Sequence, residues 1–383
     1  MPEALLTPEA QAQPVLKPAA PVRKPQLPAL TGVRTLLAVN IMLFHFTPPH
    51  MTYLYPLIDH SYVFVGFFFL LSGFILAYNY ADRPTLNKRD FWRARFARLY
   101  PIYLLSLVLF AGMLGGEWQA RSHPEFFAGV LLTPLLLQGW NPWLATFWNT
   151  VAWTLSCEAI FYFAFPWIIR LRWPKTPGRL IALLLGIWAI GLIPHSFYLL
   201  LNPDHLAGPA DRYSSGFWIR TLKYTPLAYT CTFLAGITLA KLQGSLTLAA
   251  RHRAWVAGLS LLALGLFFAK VVDHVPYILM HGGFLVPLFS ALVIGLSGQN
   301  IFASFFAWKP IELLGQASYA LFLLHFNFIN LLRNHHIPER LHLAAYDPWV
   351  SYAATLVLAI AAMYFVERPA RRAILARRPA AAH

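Results

Sequence analysis

LTGVRTLLAVNIMLFHF, residues 30–46, decides the fold: it is one apolar run that carries an arginine, Arg34, and a histidine, His45, with only uncharged residues between them. A helix turns about 100° per residue, so eleven steps return to within roughly 20° of the start and advance about 16 Å. Both side chains therefore share one face of a helix. An ionisable group in lipid is costly and turns to a bundle interior or a water-filled cavity, so His45 reads as a functional group.

The rest of the chain agrees with a membrane setting. Hydrophobic residues make up 58% of it, charged residues only 12%, and the mean hydropathy is +0.54. A soluble chain would carry about twice that share of charge. Ten stretches of spanning length follow from a window of about twenty apolar residues, at 33–48, 61–80, 97–115, 150–169, 179–201, 226–243, 254–272, 275–297, 311–332 and 349–366. The segment 126–138 is apolar but short and interrupted by Pro134, which predicts a re-entrant or interfacial helix. The fold class is thus an all-α polytopic transmembrane bundle of about ten spans. Residues 1–30, with seven prolines and no signal-peptide core, read as a disordered Pro-rich cytoplasmic tail. Residues 31–369 form the membrane domain, and 370–383 a basic cytoplasmic tail.

Loop charge orients the bundle, because Lys and Arg concentrate on the cytoplasmic side. With the N-terminus inside, 23 of the 30 basic residues fall on the cytoplasmic side and seven outside. Counting 126–138 as a full span would move RLRWPKTPGR outside and spoil this asymmetry. Both termini are then cytoplasmic. Topology also accounts for most of the net charge of +15, and no nucleic-acid-binding module accompanies it. Cys157 and Cys231 lie in apolar spans and suggest neither a disulfide framework nor a metal site. The histidines of RNHHIPERLHL, His335, His336 and His342, lack a carboxylate or thiolate set, so no metal is expected.

A second cluster, KRDFWRARFARLYPIY, sits at the cytoplasmic entrance of the third span. Arg95 and Arg98 share a helical face, and the topology brings Arg34 to the same side. Three guanidinium groups can converge there on a phosphorylated ligand. A phosphate-rich head at the inner face with a reactive end about 16 Å deeper beside His45 matches the proportions of a coenzyme A thioester. A nucleotide sugar or lipid phosphate satisfies the arginines equally.

Six segments resemble the integral-membrane acyltransferase-3 family, whose members O-acylate carbohydrates and related molecules. LTGVRTLLAVNIMLFHF is similar to its first-span signature, GFFFLLSGFILAY (66–78) to its Ser-Gly-Phe motif, and RFARLYP (95–101) to its Arg-x-x-Arg motif. WTLSCEAIFYFAFP (153–166), LLGQASYALFLLHF (313–326) and FVERP (365–369) look like its later signatures, in the same order. Two positions depart: Thr31 stands where an acidic residue is common before the first Arg, and Thr154 where Ser is expected after Trp153. The soluble esterase-like domain of some members is not expected here, which implies a stand-alone transferase.

The resemblance implies a bacterial inner-membrane enzyme that moves an acyl group, acetyl by prior expectation, from cytoplasmic acyl-CoA (acetyl-CoA) to a hydroxyl of a carbohydrate or glycolipid. His45, Arg34 and Glu158 are the expected catalytic residues. His45 accepts the hydroxyl proton, directly or by way of an acyl-histidine. Glu158, placed near mid-membrane beside His45, orients that ring or binds acceptor hydroxyls. Arg34, Arg95, Arg98, Ser72 and Gly73 are the expected donor-binding set, with Gly73 as much a packing residue as a chemical one. Glu158, His325, Ser318 and Tyr319 are the expected acceptor set. Acylation of a non-sugar molecule such as a macrolide or a lipid, or transport of a lipid-linked sugar without chemistry, are the alternatives.

Overall fold

A proline in the first helical turn forfeits no hydrogen bond and supplies the required φ. Helix α1 (Pro28–His45) accordingly starts at Pro28, five residues before the span predicted from hydropathy. The computed structural model describes residues 24–49, 51–83 and 85–376, and these are helices joined by turns, with no strand among them. The expected N-terminal tail lies outside the described residues up to residue 23, and its last three residues belong to α1.

The chain continues through α2 (Tyr55–Asp59) and α3 (Phe64–Tyr80), and then into α4 (Lys88–Leu109). Asn87 caps α4 by accepting from the Arg89 and Asp90 amides. The path bends by 57° beyond Leu109, and α5 (Leu114–Ala120) and α6 (His123–Leu132) follow. Next come α7 (Trp153–Ile168), α8 (Pro177–Leu201), α9 (Phe217–Tyr224) and α10 (Pro226–Ser245). Then follow α11 (Ala250–Lys270), α12 (Tyr277–His281), α13 (Val286–Leu296) and α14 (Ile301–Phe306). The last four are α15 (Lys309–Asn334), α16 (Ile337–Arg340), α17 (Trp349–Ala362) and, after one π turn (Met363–Glu367), α18 (Arg368–Ala376). The stretch expected as a basic tail from residue 370 is therefore helical as far as Ala376.

Length and composition qualify six helical stretches as membrane spans, or seven if the bent path through α4 and α5 is one, against the ten predicted. Helices α7, α10 and α15 make the difference. The first has only 16 residues. The other two are long enough but carry polar side chains, Lys241 and Gln243 on α10, Glu312, Gln316, His325 and Asn327 on α15. Position explains this. Helices α10 and α15 are packed among other helices, α10 on α3 and α8, α15 on α1 and α17. Some of their polar groups bond protein, as Gln243 does with Arg253 and Asn327 with the Trp148 carbonyl, so hydropathy falls where helix packs on helix. By contrast α8 and α11 bury only 22% of their apolar windows.

The segment 126–138 follows α6 to Leu132 and then leaves the helix, with Leu136 at φ 60°. The irregular backbone up to α7 is held by buried amides. Gln138 donates to the Ala152 carbonyl at 3.2 Å, and Asn149 to Ser106 Oγ and the Leu323 carbonyl, each at 3.1 Å. Non-helical backbone at depth needs such partners.

Close helix contact at the centre depends on glycine. A methyl on Gly73 would collide with the Phe233 carbonyl oxygen of α10, and one on Gly236 with the Leu70 carbonyl of α3. Small residues on both helices permit this approach. Gly73→Leu is expected to cost upwards of about 3 kcal/mol, since the obstacle is backbone. A lowered melting temperature of the detergent-solubilised protein reads it; an unchanged one contradicts the packing role.

Candidate functional site

Five of the signature segments meet around one cavity of about 200 Å³. Helix α1 brings Thr31 and Arg34, α3 brings Ser72, α4 brings Arg95 and Arg98, α7 brings Glu158 and Tyr162, and α15 brings Tyr319. The helical spacing of Arg95 and Arg98 turns both guanidinium groups to the same cavity, as the sequence predicts. Arg34 lies 5.7 Å from the Phe68 ring centre and Arg95 5.8 Å from that of Phe91. Among the described residues no ion pair occupies Arg34, Arg95 or Arg98. The buried Nε of Arg95 has no hydrogen-bond partner. This is a cationic well with donors to spare.

Ser72 donates to the Tyr162 hydroxyl at 3.1 Å, and Tyr162 and Glu158 of α7 line the same cavity. Glu158 thus stands among the guanidinium groups on the Arg34 side, rather than beside His45 where the sequence placed it. Gly73 is turned to α10 and lines no cavity wall with Ser72, so its expected share in donor binding becomes a packing role.

A narrow cavity of about 40 Å³ leads out of this chamber. It shares Arg34, Phe68, Glu158 and Tyr319 with the arginine chamber, and adds Ser318 and Phe322. Ser318 donates to the Gly315 carbonyl of its own helix at 2.7 Å, and Tyr319 to the Leu99 carbonyl of α4 at 2.7 Å. Both hydroxyl protons are therefore committed to the scaffold. These two residues shape the passage.

Val65 and Phe322 carry the passage into a third cavity, of about 220 Å³, and His45 lies on its wall. His45 is the last residue of α1, at the end of that helix remote from Pro28. Around it are Phe44, Phe326 and His325, with ring centres 5.0, 5.0 and 5.2 Å away. His325 Nδ1 faces the Leu321 and Phe322 carbonyls at 3.2 and 2.8 Å. Carbonyls only accept, so Nδ1 carries the proton and Nε2 keeps its lone pair, without a partner. His325, expected in acceptor binding, is thereby a neighbour of His45 that stands ready to accept a hydrogen bond.

The sequence reading missed the opposite wall of this chamber. Arg212 stacks over Phe44 at 4.0 Å, donates to the Phe44 carbonyl at 3.2 Å and pairs with Asp59 at 3.0 Å. Lys223 is 3% exposed and donates to the Arg212 carbonyl at 3.0 Å. Burial, with Arg220 next in effect, pushes its ammonium down to about 8. Tyr62 stacks on His281 at 4.8 Å, and Tyr277 meets the same ring edge-on at 4.9 Å. Tyr229 gives its proton to the Lys223 carbonyl at 3.0 Å, so His281 Nδ1 donates to Tyr229 at 2.9 Å and Nε2 holds a free lone pair. Among the described residues no His, Cys, Asp and Glu side chains are grouped as a metal site.

Comparison with known proteins fits this arrangement. A family pattern described as an acyltransferase domain matches residues 27–368. The acyltransferase MdmB of Streptomyces mycarofaciens is 33% identical over 162 residues, which are 39% of this chain and 41% of that protein. The peptidoglycan O-acetyltransferase OatA of Listeria monocytogenes is 21% identical over 376 residues, covering 90% of this chain and 56% of that one. The O-acetyltransferase OatA of Staphylococcus aureus is 23% identical over 368 residues, with shares of 90% and 57%. The chain thus spans less than two thirds of these relatives' own length. No solved structure matches it. The expectation raised by six ordered motifs holds across nearly the whole sequence: the chain belongs to the acyltransferase-3 family.

Proposed function

We propose that the chain is a membrane-embedded acyltransferase. It takes an acyl group, acetyl, from acyl-CoA in the arginine chamber and gives it to a hydroxyl of a carbohydrate or glycolipid in the histidine chamber. The observation that carries this reading is the series of three cavities, cationic at one end and lined by His45 at the other. Their separation along α1, about 16 Å from Arg34 to His45, suits a pantetheine arm threaded through the passage. The donor phosphates rest on Arg34, Arg95 and Arg98, whose fork-shaped donors make no ion pair although Glu158 shares their chamber. Glu158, in the same chamber, offsets part of their mutual repulsion.

His45 takes the proton of the acceptor hydroxyl as its oxygen attacks the thioester carbonyl carbon. The carbon–sulfur bond then breaks, and the thiolate leaves with the proton returned from the imidazolium. The arginine chamber and both termini face the cytoplasm across a bacterial inner membrane in this reading, which the loop charge supports as to side. Two relatives named as O-acetyltransferases, one of them for peptidoglycan, favour acetyl and a glycan.

Purified full-length protein with radiolabelled acetyl-CoA tests the assignment. Arg98→Glu is expected to raise the donor KM by about 10- to 100-fold, the worth of a charge-assisted hydrogen bond to phosphate. An unchanged donor KM with weakened acceptor use refutes the donor role of this chamber. Absence of both CoA release and glycan labelling, with transport of a lipid-linked sugar by reconstituted vesicles, makes the protein a transporter instead.

A further inference from the structure

The histidine chamber is charged on one side only. Arg212 and Lys223 lie on its wall, and no carboxylate does. Asp59 neutralises Arg212. Lys223 makes no such ion pair, and Asp211 acts on it only at longer range: its Nζ donates to the Arg212 and Ser214 carbonyls at 3.0 and 3.5 Å, which leaves one of three N–H groups uncommitted. A cation so deeply buried is ordinarily paired with a carboxylate. Here neutral groups and ring faces stand in, with the ammonium 5.4 Å from the centre of Tyr224 and 5.3 Å from that of Tyr277. Two further polar atoms beside it, the Tyr62 hydroxyl and His281 Nε2, are buried without partners. The chamber therefore offers one positive charge without an ion-pair partner, aromatic faces, and a separate donor and acceptor for hydroxyl groups.

We propose that the acceptor is an anionic glycan, whose carboxylate or phosphate sits on Lys223 while Tyr62 and His281 bind its hydroxyls and one hydroxyl faces His45. The proposal rests on the reading of this chamber as the acceptor site. Tyrosine faces suit the C–H side of a sugar ring, and the acid group supplies the ion pair that Lys223 lacks.

Binding of three small probes to the full chain, in a detergent without a sugar head group, tests it: methyl glucoside, methyl glucuronide and methyl glucoside 6-phosphate. At pH 7 at least one charged probe is expected to bind about tenfold more tightly than the neutral one. Preference for glucuronide alone or for the phosphate alone supports the proposal and names the acid group. Lys223→Met is expected to bring the ratio to about one, and Lys223→Arg to keep it.

In the wild type the preference is expected to fade as pH rises through about 8, because the lysine is charged below that value and neutral above it. The groups that face Lys223 are Arg220 and Tyr224 of its own helix, Arg212 and Asp211 of the preceding loop, and Tyr277 and His281 of α12. Equal binding of all three probes by the wild type, an equal loss of all three in Lys223→Met, or displacement of the charged probes by coenzyme A overturns the proposal. CoA release from acetyl-CoA, followed on the same preparation, reports separately on the transferase reading: charge preference without donor cleavage overturns that reading alone.

Discussion

His45→Ala is expected to lower acyl transfer by about 10²- to 10⁴-fold, the range a positioned general base contributes. Donor affinity is expected to stay as in the wild type, because His45 lines the third cavity and none of the arginine chamber. Direct transfer and an acyl-histidine intermediate both need this ring, so the variant loses either. The measurement is labelled acetyl appearing in glycan, set beside the dissociation constant for acetyl-CoA on the same preparation. A variant that keeps more than about a tenth of the wild-type rate leaves the base elsewhere, and His281, with a free lone pair in the same chamber, becomes its holder. Loss of donor binding together with rate would instead place the thioester head, rather than its acyl end, at this histidine.

The arginine chamber was legible because its residues lie at helical spacings on long elements. Arg34, Arg95 and Arg98 could each be assigned a face from periodicity, and the loop charges supplied a side. Depth was harder. It was counted from the ends of hydropathy windows, and a window registers neither the start of α1 at Pro28 nor the irregular stretch from residue 133 to residue 152 that precedes α7. Glu158 consequently stands on the arginine side.

The far wall of the histidine chamber had no periodic signal at all. Arg212 and Lys223 lie in the connection between α8 and α10, where two positive charges look like ordinary loop residues. His281 ends a five-residue helix next to two glycines. Only tertiary contact brings these residues to His45. The polar inner helices were misjudged in the opposite sense: α15 has the length of a span, but its buried His325 and Asn327 lower its hydropathy because they bond protein and not lipid.

Val65→Phe is expected to stop transfer while leaving both chambers able to bind. Val65 is shared by the passage and the histidine chamber, and the passage holds only about 40 Å³. A ring placed there stands where the arm must thread, and a displacement of even about 1 Å of reacting groups can cost on the order of 10²-fold. Transfer is thus expected to fall at least that far, with the dissociation constants for acetyl-CoA and for acceptor little changed. Val65 is 8% exposed, so an added ring also strains the packing of α3 by about 1–3 kcal/mol. Val65→Ala separates the two effects. It loosens the same packing but widens the passage, so it is expected to retain transfer at somewhat reduced stability. If folded Val65→Phe transfers at the wild-type rate, the acyl group does not travel between the chambers by this route, and donor and acceptor must meet on one side of the neck. If both variants lose transfer in proportion to stability, Val65 is a packing residue only. Loss confined to the larger side chain is the result that the serial arrangement of Arg34, Glu158, Phe322 and His45 demands.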